Sequence, residues 1–248
     1  MNPPLRRLIV GLADSKRLLG IRYSDWTIGA PSLETDISLA SMAQDEWGHA
    51  RLIYAMLKEL DEDPDQAERD RPAAEYANID VLDEAAADWP SLVATMVLAD
   101  GALSVALKGF AEGGFELARS RVPKMLAEEE YHAPLGAAWY RRLASSERGG
   151  ALLRRATEEQ LPAVLAWLGT VDEERRSVVD AKVTSSPKVQ LDTFAADVGP
   201  LVAECGVAIE SVNPASEWDS GRGRGPGAPA DEAVVRARGD LNRALFVR

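Results

Sequence analysis

Both histidines of this 248-residue chain stand three residues after a glutamate, His49 after Glu46 and His132 after Glu129. On an α-helix, positions i and i+3 share a face, so each pair aims a carboxylate and an imidazole at one point. The surroundings are helical in pattern. Apolar residues recur at 3.6-residue spacing through most of the chain, and few β-branched runs alternate with period two, so the chain reads as all-α.

The periodicity predicts a first helix over about 4–23, with an apolar stripe of Leu5, Leu8, Ile9, Leu12 and Leu19. Lys16 falls inside that stripe and Asp14 nearly opposite it. Gly29, Ala30, Pro31 and Ser32 break the chain and open a second helix reaching about Leu60. Its stripe holds Leu39, Met42, Glu46, His49, Ile53 and Leu57. A third helix runs from Pro90–Ser91 to about Gly113. Asp100 is the only charge between Asp88 and Lys108 there, and an unpaired buried carboxylate would protonate or find a cation. A fourth helix, about 123–143, carries Val122, Met125, Glu129, His132, Gly136 and Tyr140 on one face.

The second and fourth stripes coincide at an offset of 83 residues, and the first and third at 84, which places Lys16 on Asp100. Two related hairpins predict a pseudo-two-fold four-helix bundle, the ferritin-like layout. That layout takes Glu-x-x-His from two helices and a lone carboxylate from each of the other two. Candidate metal ligands are therefore Glu46, His49, Asp100, Glu129 and His132, with Lys16 in the slot where a sixth belongs. Two readings of Lys16 follow: its ammonium snorkels to water, or it is planted among Glu46, Asp100 and Glu129 in place of a metal's charge.

Beyond the bundle (1–182) a C-terminal helical extension (183–248) is expected. A fifth helix is expected over about 151–182, with Pro162 as the candidate kink, and another over 189–205. A mobile Gly/Pro-rich loop covers 214–230, where Arg222 and Arg224 read as linker residues or as a phosphate grip, and a last helix covers 231–247. The acidic stretch 61–71 reads as solvated. The aromatic residues Trp47, Tyr54, Phe110, Phe115, Tyr131 and Tyr140 fit either core packing or a substrate pocket.

Net charge of −12 argues against nucleic acid as a partner. A lone Cys205 excludes an internal disulfide and suits a reducing cytoplasm. No signal peptide is read at the start, and Asp100 interrupts the one long apolar run, so no membrane span is expected.

Asp25-Trp26, the Gln-Asp-Glu-x-Gly-His-Ala of 44–50, the Asp-Gly-Ala of 100–102 and the Lys-x-x-x-Glu-Glu-x-Tyr-His of 124–132 resemble the phenylacetyl-CoA epoxidase family, over roughly 5–180. That family pairs a catalytic dimetal subunit with a paralogous structural subunit lacking a working metal site. The stretch 18–40 is more similar to the structural type and the ligand set to the catalytic type, whose first helix carries glutamate where Lys16 stands.

The resemblance implies a non-haem iron oxygenase component acting on an aromatic acyl-CoA. It would hold one or two iron ions, or none if Lys16 replaces the metal. Its implied partners are a separate reductase and paralogous subunits in a homo- or hetero-oligomer. The alternatives are a non-catalytic structural subunit and a ferroxidase or iron-storage protein.

Overall fold

In the computed structural model, residues 2–239 are described. The four helices of the bundle are α1 (Pro3–Ser24), α2 (Leu33–Tyr54), α4 (Trp89–Ala111) and α5 (Glu116–Ala144). Short helix α3 (Pro64–Arg69) lies in the connection between the two hairpins. Helices α6 (Glu147–Gly169), α7 (Glu173–Asp180), α8 (Pro187–Val202) and α9 (Asp231–Arg238) follow. No strand is formed among the described residues, so the all-α expectation holds. Helix α1 pairs with α2 and α4 with α5, and the hairpins close face to face as the repeat requires.

The helix starts are written locally. Asn2 accepts a hydrogen bond from the Leu5 amide, with Pro3 and Pro4 at the first positions of α1. Ser32 caps α2 through the Thr35 amide, and Glu34 and Asp36 sit at the positive end of its dipole. Asp88 caps α4 through Ser91. Helix α4 is long and apolar enough to cross a membrane by length and composition, yet 83% of its most apolar window is buried inside the protein. It packs against α5, α6, α8 and α1, which is why it is apolar all round. Helices α1 and α2 approach closely at Gly20, where a Cβ would come within 2.5 Å of Trp47 Nε1.

Several expectations are corrected. The fourth bundle helix starts at Glu116, not Pro123. Pro123 and Pro134 both lie on the exposed face of α5, where the carbonyls they leave unbonded turn to water. The second helix tightens to a 3-10 helix from Ala55 to Leu60. The expected fifth helix is two, α6 and α7, because Asp172 leaves helical geometry and caps α7 through Arg175. Pro162 sits inside α6. The last helix is described to Arg238, and the rest of that expectation lies outside the described residues.

The two stretches read as solvated or mobile are tied down. Arg71 and Glu68, from the acidic connection, are buried. Arg71 bonds Asp14 through both terminal nitrogens and lies 4.9 Å over the Tyr76 ring, and Glu68 pairs with Arg17. In the Gly/Pro-rich segment, Arg224 is fully buried and bonds Asn78 Oδ1 at 2.7 Å, Asp83 Oδ1 at 3.0 Å and Asp80 Oδ1 at 2.8 Å. Arg224 is thus a structural clamp, neither a linker residue nor a phosphate grip.

Asp14, on the face of α1 away from Lys16, is also fully buried. Besides Arg71 it accepts hydrogen bonds from the Tyr54 hydroxyl and from the Ala77 amide, the latter at 2.8 Å. Every acceptor direction is used, which is what a buried carboxylate requires. Replacing Asp14 with Ala leaves the Arg71 guanidinium without its counter-charge. The loss should be about 3–5 kcal/mol of unfolding free energy in urea; a loss under about 1 kcal/mol would mean that the pair is solvated.

Candidate functional site

Each bundle helix delivers one charged side chain to the same buried point: Lys16 from α1, Glu46 from α2, Asp100 from α4 and Glu129 from α5. The Lys16 ammonium is 3.0 and 3.1 Å from the two oxygens of Glu46, 3.1 Å from Asp100 Oδ1 and 2.5 Å from Glu129 Oε1. It is wholly buried, so the snorkelling reading is overturned and the inward one holds. The reason is local. One turn to either side of Lys16 the stripe is Leu12 and Leu19, both fully buried, and no route to water opens between them.

Both imidazoles face the cluster. His49 Nδ1 lies 3.2 Å from Glu129 Oε1, while His132 Nδ1 lies 3.4 Å from Glu46 Oε1 and 3.3 Å from Glu129 Oε2. Neither Nδ1 makes a hydrogen bond of acceptable geometry. The outer nitrogens are held. His49 Nε2 bonds Glu128 at 2.7 Å and His132 Nε2 bonds Asp45 at 3.2 Å. The bracing is reciprocal: α5 supplies the carboxylate that orients the α2 imidazole, and α2 supplies the one that orients the α5 imidazole. Carboxylates in this outer role fix ring orientation around metal sites.

Asp45, Glu128 and Tyr23 did not emerge from the sequence as site residues. Tyr23 donates to Asp100 Oδ2 at 2.8 Å. Signals existed for all three. Asp45 and Glu128 obey the same 83-residue offset as the ligand pairs, and Tyr23 lies two turns beyond Lys16 on the same face of α1.

The electrostatics follow from burial and crowding. Burial alone would lower the Lys16 ammonium's pKa, but Asp100, Glu129 and Glu46 together raise it well above its ordinary value. Burial raises Glu129, yet Lys16 and the two imidazoles overcome that and hold it well below the usual carboxylate range. Glu46 is pushed up to about 7 by burial and by neighbouring Glu129. Burial opposes charge on His132, but Asp100, Glu129 and Glu46 raise it to about 12. His49 is also raised, chiefly by Glu129 against the effect of burial. Lys16 and His132 thus stand as cations within the cluster, while Glu46 titrates near neutrality.

As a donor set, Glu46, Asp100, Glu129 and His132 present ligand atoms within 4.8 Å of one another, and this buried group could hold a metal ion. His49 lies outside that set, on the Glu128 side of Glu129. A dimetal centre does not fit the arrangement, because the Lys16 ammonium of α1 occupies the point where the carboxylates of α2, α4 and α5 converge. One ion would have to displace it.

Of the aromatic candidates, Tyr54, Phe110 and Tyr140 are core residues, and Tyr131 is 82% exposed. None of the six lines the cleft that reaches Asp100 and Glu129.

The family model for phenylacetic acid catabolic proteins matches residues 1–225, and the chain belongs to that family. No curated protein matches it.

His132 separates the ion-paired state from a metal-ligated one. Its contribution to stability is complete below its ordinary pKa of 6.5 and is lost progressively as pH rises toward about 12. Ring nitrogen-15 shifts at pH 8 should therefore report a doubly protonated His132; a neutral ring there would indicate a ligand rather than an ion-pair partner.

Proposed function

We propose that this member of the phenylacetic acid catabolic family serves as a metal-free structural subunit of a multi-subunit phenylacetate-degrading oxygenase in the cytoplasm. The supporting observation is the Lys16 ammonium, bonded at once to Glu46, Asp100 and Glu129. A lysine there supplies a permanent positive charge without an open coordination position, and metal-dependent chemistry needs such a position. The chain's own work is then to hold four helices in register and to present the outer faces of the bundle to catalytic, paralogous subunits. In such an assembly the aromatic acyl-CoA and the reductase belong to those partners.

A second reading keeps the chain as an iron-dependent oxygenase component, with Glu46, Asp100, Glu129 and His132 as ligands. The compact donor set and the two unbonded Nδ1 atoms favour it. Iron, when bound, would supply dioxygen activation. The residues would hold it and exclude water, Asp45 would fix the His132 ring, and Lys16 would swing aside. Storage or ferroxidase activity draws no separate support from the site.

Protein expressed in iron-replete cells should contain essentially no transition metal by elemental analysis, and Lys16→Glu should bind at least one ion per chain. A full ion in the unmodified protein would establish the second reading. Lys16→Met, which keeps the stem and removes the charge, should cost about 3–5 kcal/mol of stability, because three carboxylates lose their shared partner.

A further inference from the structure

A cleft with a volume of about 540 Å³ opens between α4, α5 and α8 and runs down to Asp100 and Glu129. Its walls are Met96, Val97, Val105, Leu126, Val198 and Leu201. Small residues keep it open. Ala133 and Ala137 line the α5 side, and Gly101 lets α8 close down on α4, since a Cβ there would sit 3.1 Å from Val198 Cγ2. The volume falls within the range that takes a small organic molecule.

The polar groups are unevenly signed. Asp100 and Glu129 form the floor, where Lys16 and His132 stand behind them and offset their charge. At the mouth, exposed Glu130 and Asp197 outnumber exposed Lys108, and these three make no ion pair among the described residues. A carboxylate or phosphate group at this mouth meets net repulsion, in a chain that already carries a charge of −12. An apolar body bearing one positive charge meets apolar walls and, at the mouth, two carboxylates against the one ammonium of Lys108.

From this geometry we propose that the cleft binds a compact apolar primary amine, with its tail between α4, α5 and α8 and its ammonium at Glu130 and Asp197. The site does not depend on whether the cluster holds metal, so metal content and amine binding can fail separately.

Hexylamine, hexanol and hexanoate share one tail and differ in charge, and titration calorimetry at low ionic strength compares them on the intact chain. Hexylamine should bind at least about tenfold more tightly than hexanoate, the scale expected for screened charges at a cleft mouth, with hexanol between them. Glu130→Gln combined with Asp197→Asn should erase the preference while hexanol affinity stays the same; both positions are exposed, so folding is not at stake. Ala133→Leu should weaken all three by filling the cleft. Hexanoate binding as tightly as hexylamine, or no binding by any of the three, overturns the proposal. So does a preference that survives the double substitution.

Discussion

One ammonium holds this protein's centre together. At about 3 Å and an effective dielectric near 20, each Lys16–carboxylate contact is worth about 5 kcal/mol of Coulomb attraction, set against a desolvation cost of several kcal/mol per ion. The arrangement is stable because the three carboxylates share one cation, lie beside the His49 and His132 imidazoles, and, at Asp100, accept a hydrogen bond from Tyr23. Removing any one partner leaves a buried charge. It also joins all four bundle helices through a single atom, Lys16 Nζ. The register of α1 against α2, α4 and α5 is therefore specified by charge as well as by apolar packing.

The outer brace continues the same logic. Asp45 and Glu128 each precede a cluster glutamate in the chain, and each grips the histidine of the opposite helix. This pseudo-two-fold pattern suits a metal site, in which neutral imidazoles bind an ion through Nδ1. With a lysine at the centre, the same residues become a closed set of ion pairs. Membership of the phenylacetic acid catabolic family sets the setting in which that difference matters.

Much of this was readable in advance, because it depends on helical spacing. The two Glu-x-x-His pairs, the offset that sets Lys16 against Asp100, and the four bundle helices all follow from local periodicity. What escaped reading depends on where distant chain returns. Asp14 was recognised as lying opposite Lys16, but its burial comes from a connection that brings Arg71 back over α1, through Tyr54 and Ala77. Arg224 looked like a linker residue because composition reports local backbone freedom; its partners Asn78, Asp80 and Asp83 lie more than 140 residues away. The fourth helix runs through Pro123 because that residue lies on the exposed face of α5, where solvent satisfies the carbonyl it frees, and exposure of this kind is set by tertiary packing.

Whether the lysine occupies the position of a metal ion is read directly by anomalous diffraction from crystals grown with excess ferrous iron. No iron peak is expected between Glu46, Asp100 and Glu129, with Lys16 Nζ in hydrogen-bonding contact with all three. An iron peak there, with the Lys16 side chain turned away, would contradict a lysine in that position.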